Sequence, residues 1–189
     1  VLERHPAALT EAAVEAVLPR FRGEILQVPP MYSALKVNGQ KLCDLARKGQ
    51  TVERKPRPVT IHELAFLGFQ DDCLRLRVRC SKGTYIRTLC KDLGEALGCG
   101  GCMAQLRRVS AGSYTIGQAV PLETLLESAD PGQYLLPVDS LFASLPALTL
   151  TPNQETRCRN GNPFTRNVPD GRYRCYGKSG EFLMLGSVR

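Results

Sequence analysis

The chain has 189 residues, of which 43% are hydrophobic, so it can bury a core and form one or two domains. It contains no apolar run of about 18 residues and no signal-peptide pattern, which argues against a membrane protein and predicts a cytoplasmic one. The formal net charge of +7 favours a polyanionic partner.

An amphipathic helix is predicted over residues 10–18. Thr10 can cap it, Glu11 places an acid in its first turn, and apolar residues recur at positions 13, 14, 17 and 18. Residues 23–30 are expected to be extended, and Pro29-Pro30 breaks the chain before the next motif.

A basic segment lies between residues 30 and 58 and begins with Pro30-Met31-Tyr32-Ser33-Ala34-Leu35-Lys36. It has seven cations against two acids, a local net charge of +5. The cations are Lys36, Lys41, Arg47, Lys48, Arg54, Lys55 and Arg57. Residues 41–47 form a predicted short helix that ends at Lys48-Gly49. This charge predicts a phosphate-binding surface, and the alternative is an exposed, mobile loop without a partner.

A β-hairpin is predicted next, with strands over residues 57–67 and 74–80 and a turn at Gln70-Asp71-Asp72. The second strand alternates as Leu-Arg-Leu-Arg-Val-Arg-Cys. This alternation gives it one apolar face and one basic face.

The most informative motif runs over residues 79–89, Arg-Cys-Ser-Lys-Gly-Thr-Tyr-Ile-Arg-Thr-Leu. A turn is expected at its Lys-Gly-Thr, and Thr84 or Thr88 is expected to cap a helix that runs to about residue 97. Lys82, Tyr85 and Arg87 then lie at or just after a strand end, where a rigid sheet can hold functional groups in place. A cation at this position suits a phosphate or a carboxylate.

Eight cysteines raise the question of a metal site. Cys99-Gly-Gly-Cys102 has the spacing of half a zinc site, but no second pair exists, and His5 and His62 are the only histidines. We therefore expect reduced thiols that pack as small hydrophobic groups and no bound metal. A structural zinc site is the alternative.

A second unit is predicted to begin near residue 137, after a short helix over residues 121–127 and a linker over residues 128–132. Four short β-like runs suggest a small barrel with seven cations against three acids. The runs cover residues 148–152, 157–163, 172–176 and 181–188. The alternative is a β-rich appendage whose basic face is only solvated.

Three motifs, in this order along the chain, resemble those of the TruB-type tRNA pseudouridine synthases, which isomerise a uridine in the T-loop of tRNA. They are residues 30–36, residues 79–94 and Leu106-Arg107-Arg108. The resemblance implies an α+β fold. Residues 1–136 would be the distal part of a catalytic domain, with a mixed, mainly antiparallel sheet, helices and an RNA-binding thumb insertion at about residues 30–58. A small β-barrel PUA-like domain would follow over residues 137–189.

The resemblance also implies roles for individual residues. Arg87 would pair with the nucleophilic aspartate and keep it ionised, although an arginine at a helix start can also be merely solvated. Tyr85 would lie near the target base or, equally well, pack in the core. Tyr32 and Met31 can supply stacking surfaces for a flipped base. The expected RNA-binding residues are Tyr32, Lys36, Lys41, Arg47, Lys48, Lys82, Leu106, Arg107 and Arg108.

The family's nucleophile lies in a Gly-rich Leu-Asp-Pro context, which surrounds none of the seven aspartates here. The chain is therefore expected to be the C-terminal portion of a longer enzyme and to be inactive alone. It is expected to be a monomer that binds the T-loop arm of tRNA and needs no metal or organic cofactor. The alternative is a module that grips such RNA without chemistry. A basic protein-interaction domain would leave the three motifs unexplained.

Overall fold

The computed structural model describes residues 8–189 and divides the chain after Arg107 into two compact units. The division falls within the third sequence motif, Leu106-Arg107-Arg108. None of the helices described within residues 8–189 has the length and apolar character needed to cross a membrane. The domain boundary expected between residues 136 and 137 stays a prediction.

The first unit combines helices with antiparallel sheets. In chain order its described elements are α1 (Glu11–Val17), a 3-10 helix (Leu18–Phe21), β1 (Gly23–Gln27), β2 (Lys36–Val37), β3 (Gln40–Lys41), α2 (Leu42–Arg47), β4 (Arg57–Gln70), β5 (Cys73–Cys80) and α3 (Ile86–Ala96). Strands β1, β4 and β5 form one sheet in that order, whereas β2 and β3 form a separate hairpin. The combination of helices with antiparallel sheets expected for this region is confirmed, and all strand pairings described within this unit are antiparallel.

Helix α1 begins where the sequence predicts, because Thr10 Oγ1 accepts a hydrogen bond from the Ala13 N–H (3.2 Å). Its Val14 and the following Leu18 are buried in a cluster formed with β4 and α3. The other buried members of this cluster are Ile61, Leu64, Leu89 and Leu93. Each side chain of this size stabilises the fold by roughly 1.5–3 kcal/mol when it is fully buried. The cluster therefore fixes α3 against the sheet.

The predicted β4–β5 hairpin is present, and its two turn residues, Asp71 and Asp72, have φ values of +49° and +58°. Aspartate tolerates this left-handed conformation, which a tight two-residue hairpin turn requires. Along β5 the side chains at even positions are half-buried and those at odd positions are exposed, as the sequence alternation predicts. The hairpin thus ends at Cys80 with a defined register.

The second unit contains smaller elements. They are β6 (Ser110–Ala111), β7 (Tyr114–Thr115), a 3-10 helix (Ile116–Gln118), α4 (Leu122–Glu127), two further 3-10 helices (Pro131–Tyr134 and Val138–Phe142), β8 (Ala147–Thr149), α5 (Pro152–Arg159), β9 (Gly171–Tyr176) and β10 (Phe182–Val188). Strands β8 and β9 are parallel, and β9 and β10 are antiparallel. This sheet buries Leu148, Leu150 and Tyr173 with two cysteines.

The barrel suggested for residues 137–189 does not close, because the strands described there form one three-stranded sheet and one of the four expected β-like runs begins inside a helix. Residues 157–163 were expected to be extended, but they begin inside α5. The overlooked signal is a capping box at Thr151. The Thr151 N–H donates to Gln154 Oε1 (3.1 Å), and the Gln154 N–H donates to Thr151 Oγ1 (3.4 Å). With Pro152 at the first helical position, these bonds favour a helix.

Candidate active site

The strand, turn and helix predicted around residues 79–89 are present. Ser81 fixes the strand end, since its N–H donates to the Thr60 carbonyl oxygen (2.8 Å) and its Oγ accepts from the Thr60 N–H (2.9 Å). Gly83 has a φ of +85°, which glycine adopts without steric cost. The resulting turn leaves Lys82 exposed just after the strand.

The start of α3 is held differently from the prediction, because neither Thr84 nor Thr88 caps it. Thr84 Oγ1 donates to the Ser81 carbonyl oxygen (2.9 Å), and Thr88 lies buried inside the helix. Tyr85 occupies the N-cap position, and its backbone is bonded by Gln27. The Tyr85 N–H donates to Gln27 Oε1 (3.0 Å), and Gln27 Nε2 donates to the Tyr85 carbonyl oxygen (3.4 Å). A buried side-chain amide therefore holds the helix start.

Gln27 is a residue that the sequence reasoning missed. It is the last residue of β1 and is only 2% exposed. The available signal was a single amide between the apolar residues of a strand and the Pro29-Pro30 break. Nothing in the sequence shows which backbone groups that amide meets, because its partner lies 58 residues along the chain.

Arg87 lies in the first turn of α3 and connects two of the sequence motifs. Its Nη2 donates to the Tyr32 carbonyl oxygen (2.7 Å), a contact between residues 55 positions apart. Within residues 8–189 no carboxylate forms an ion pair with Arg87. Since a guanidinium carries five N–H donors, the side chain can still bind a carboxylate or a phosphate.

A cleft of about 440 Å³ lies beside Arg87. Apolar side chains form part of its lining, and three cations and one acid form most of the rest. The apolar residues are Leu26, Val28 and Pro30, and the charged ones are Arg54, Arg87, Lys91 and Asp92. This volume lies within the range of roughly 300–1,000 Å³ found for small-molecule sites. The mixed lining suits a planar base attached to an anionic backbone.

Two of the charged side chains in the cleft, Lys91 and Asp92, have shifted pKa values. Burial raises the pKa of Asp92 above its ordinary value, and the nearby Lys91 opposes that rise. Lys91 Nζ lies 2.8 Å from Glu95 Oε1, and this hydrogen bond raises the lysine pKa. The lysine therefore stays cationic, and three cations against one acid line the cleft. The cleft consequently favours an anionic ligand.

Arg54 links the two ends of the basic segment, hereafter the thumb segment (residues 30–58). Its Nη1 donates to the carbonyl oxygen of Pro29 (3.2 Å), directly before that segment begins. Its Nε is buried and has no hydrogen-bond partner among the described residues. The Arg54 side chain thus lines the cleft while the Pro29 carbonyl oxygen holds its guanidinium.

The thumb segment contains regular secondary structure, whereas the alternative interpretation of the sequence was an exposed, mobile loop. A β2–β3 hairpin leads into α2, whose Leu42 and Leu45 are buried. Its predicted RNA-binding residues are nevertheless exposed, and Tyr32 is 58% exposed. The other four are Lys36, Lys41, Arg47 and Lys48.

Lys36 and Lys41 face each other directly across the β2–β3 hairpin. Side chains in this register have Cβ atoms about 4.5–5.5 Å apart, and like charges so placed repel. A bound polyanion would remove that repulsion. Among residues 8–189 Arg47 is paired with Asp44 alone (3.4 Å), and both of these side chains are well exposed.

The remaining predicted site residues are not brought to Arg87 by contacts in the described part of the chain. Leu106 is 61% exposed, and Arg107 and Arg108 are exposed in a stretch without helix or strand. Tyr85 is half-buried and does not line the 440 Å³ cleft. The roles expected for these four residues stay predictions.

All eight cysteines are free thiols. Within residues 8–189 no three His, Cys, Asp or Glu side chains are grouped as they would be around a metal ion. Cys90 and Cys102 are close enough to influence each other, since burial first and Cys102 second raise the pKa of Cys90.

Two family models match the chain. The model of the TruB family pseudouridylate synthase (N terminal domain) matches residues 1–86, and that of the tRNA pseudouridylate synthase B C-terminal domain matches residues 87–143. The tRNA pseudouridine synthase B of Pseudomonas fluorescens (strain Pf0-1) is 46% identical over 198 aligned residues, which cover 100% of this chain and 64% of the relative. The protein of the same name from Dechloromonas aromatica (strain RCB) is 52% identical over 80% of this chain and 52% of the relative.

The chain therefore spans 64% of the length of the Pseudomonas relative. Two solved structures share its fold. A crystal structure of a Cbf5-Nop10-Gar1 complex has a TM-score of 0.67 and 21% identity, covering 98% of this chain and 57% of that chain. A structure of an H/ACA RNP bound to a substrate RNA containing 2'-deoxyuridine has a TM-score of 0.68 and 18% identity, covering 97% and 56%. At these identities the likeness shows the fold alone.

Proposed function

This chain belongs to the TruB family of pseudouridylate synthases, and we propose that the protein carrying it converts a uridine in the T-loop of tRNA into pseudouridine. The observation that carries the proposal is the 2.7 Å hydrogen bond from Arg87 to the Tyr32 carbonyl oxygen. It joins the motif that holds the expected catalytic arginine to the motif that opens the RNA-binding thumb segment.

Arg87 acts in this proposal on a nucleophilic aspartate that lies outside these 189 residues. A bidentate guanidinium stabilises the ionised carboxylate, lowers its pKa and fixes its direction. The exposed position of Arg87 and its unused N–H donors support this role.

The reaction breaks the glycosidic C–N bond of the flipped uridine, rotates the base and rejoins it to the ribose through carbon. The base carbon that forms the new bond to the ribose loses one proton and the released nitrogen gains one, so the product is an isomer. The cleft supports this chemistry with apolar walls at Leu26 and Val28 and cations at Arg54 and Lys91. A base extruded from its stack needs such apolar surfaces together with charge near its phosphates.

The thumb segment supplies the RNA-binding surface. Its exposed cations can neutralise phosphates and release counterions. The facing pair Lys36 and Lys41 supports this assignment, because two lysines in this register are disfavoured without a polyanion. The exposed ring of Tyr32 can stack on an unpaired base.

Residues 137–189 are assigned a supporting role in RNA binding. We infer that residues 137–189 form a PUA-like RNA-binding domain, and the exposed Arg157, Arg172 and Lys178 support that assignment. The proposal also holds that the protein acts as a monomer in the cytoplasm without a metal or organic cofactor.

The test uses protein expressed from the complete reading frame and an unmodified tRNA transcript. Digested RNA is analysed by chromatography, which separates pseudouridine from uridine although their masses are equal. We expect pseudouridine at one T-loop position. In the same protein, Arg87→Ala should lower kcat by at least about 100-fold, the scale seen when a single electrostatic donor is removed from an active site. Arg75→Ala, an exposed arginine of β5, is the matched control and should retain activity.

The competing function is an RNA-binding module without chemistry. The exposed cations of the thumb segment and the lack of a carboxylate paired with Arg87 among residues 8–189 favour it for this chain alone. If the complete protein binds the tRNA transcript but forms no pseudouridine, the binding function replaces the enzymatic one. Full activity of Arg87→Ala would instead refute the role of Arg87.

A further inference from the structure

We propose that Gln27 is a positioning residue that fixes the backbone of Tyr85 and thereby the direction in which Arg87 enters the cleft. This inference rests on the proposed function, because it concerns the same site. Gln27 does not line the cleft, and its side-chain hydrogen bonds go to Tyr85 rather than to Arg87. Its action is therefore indirect.

The oxygen and the nitrogen of the Gln27 side-chain amide both form hydrogen bonds with the backbone of Tyr85. Oε1 accepts from the Tyr85 N–H (3.0 Å), and Nε2 donates to the Tyr85 carbonyl oxygen (3.4 Å). A buried amide costs free energy unless its donor and acceptor are satisfied, and here the backbone of Tyr85 satisfies both. An apolar residue at position 27 would fill the end of β1 without the free-energy cost of burying an amide. The two hydrogen bonds to the Tyr85 backbone therefore explain why an amide occupies this buried position.

The backbone conformation of Tyr85 sets where α3 begins. Tyr85 has an extended backbone (φ −99°, ψ 105°), and α3 starts at the next residue. No side-chain cap from the helix itself fixes this start, and the Tyr85 carbonyl oxygen also accepts from the Leu89 N–H (3.0 Å) in the first helical turn. A shift of the Tyr85 backbone would therefore rotate the first turn of α3, which contains Arg87.

The same helix start is bound twice by one short stretch of chain. Gln27 holds Tyr85, and the Tyr32 carbonyl oxygen, five residues further along, accepts from Arg87. The two contacts close a loop between the end of β1 and the start of α3. Losing the first contact leaves the exposed second one as the hydrogen bond between this stretch and the start of α3.

The experiment compares Gln27→Leu with Val14→Ala in the protein expressed from its complete reading frame. Val14 is buried in the core cluster of the same unit, to which Tyr85 does not belong, so its variant controls for a general loss of stability. We expect Gln27→Leu to lower kcat by roughly 10- to 100-fold, the cost of a misplacement of about 1 Å. The Kd for tRNA should change much less than kcat, since the exposed cations of the thumb segment keep their charge.

A second readout does not depend on activity. In Gln27→Leu the Tyr85 amide should exchange its hydrogen at least about tenfold faster, whereas the Leu89 amide should keep its protection. Val14→Ala should show no such selective change. Gln27→Glu is the second variant, because its protonated form can make both bonds and its ionised form repels the Tyr85 carbonyl oxygen. Its activity relative to the unmodified protein should fall as the pH rises.

The proposal is overturned if Tyr85 exchange is unchanged in Gln27→Leu, or if kcat falls no further than in Val14→Ala. If Gln27→Leu does not fold, a pH profile of Gln27→Glu that matches that of the unmodified protein overturns it. A complete protein that forms no pseudouridine would refute the proposed function, and Tyr85 exchange would still decide the role of Gln27.

Discussion

Neutralising the thumb segment should flatten the salt dependence of RNA binding. The variant carries Lys36→Gln, Arg47→Gln and Lys48→Gln, three side chains that are exposed in the structure. Each phosphate contact contributes a slope of about −0.7 to −0.9 to log K against log[salt], so losing three changes the slope by roughly 2 to 3. Over a fourfold rise in salt, the unmodified protein should therefore lose roughly 20- to 40-fold more affinity than the variant.

The assay measures the Kd for a tRNA transcript between about 50 and 200 mM KCl, the range over which such contacts are sensitive to salt. The matched control removes the same charge from β5 by Arg75→Gln, Arg77→Gln and Arg79→Gln, which are also exposed. The control should keep the slope of the unmodified protein. If the thumb variant keeps that slope, or if the control loses as much of it, the thumb segment is not the main phosphate-binding surface.

Two further predictions concern the folded chain. A Cβ at Gly94 in α3 would lie 2.2 Å from the backbone carbon of Gly100, so Gly94→Ala should destabilise the protein by about 1–3 kcal/mol in thermal unfolding. Gly117→Ala meets nothing closer than 3.9 Å and should change stability by less than about 0.5 kcal/mol; equal effects would refute the packing argument. Burial raises the pKa of Cys158 and Cys175, so iodoacetamide should alkylate them more slowly than the exposed Cys73 and Cys102. Peptide mass spectrometry measures this, and equal rates would contradict the buried placement.

The parts of the fold that were predictable are those with strong local signals. The hairpin turn at residues 71–72 and the alternation along β5 depend on neighbouring residues, and so does the cap of α1 at Thr10. Helix α5 carried an equally local signal at Thr151, but the mixed composition of residues 157–163 obscured it. The apolar periodicity that marks most helices is absent there.

The sequence predicted the types of residue at the site but not the contacts that hold them in place. The motif over residues 79–89 indicates a turn that presents Lys82 and Arg87, and both are exposed there. The start of α3 was attributed to a threonine because threonine is a common capping residue. In the structure a glutamine from a distant strand holds it, and such a contact has no signature within a short window of sequence. The Arg87 contact with Tyr32 is long-range in the same sense.

The choice of arginine at position 87 follows from the two partners that it must serve. One N–H is used on the Tyr32 carbonyl oxygen, and a bidentate carboxylate needs two more, so five donors satisfy both at once. A lysine ammonium is a compact point charge without the planar fork and could not hold both in fixed directions. The side chain that orients the proposed nucleophile is therefore the one that anchors the start of the thumb segment. The proposed function thus couples the position of the thumb segment to the orientation of the carboxylate through Arg87.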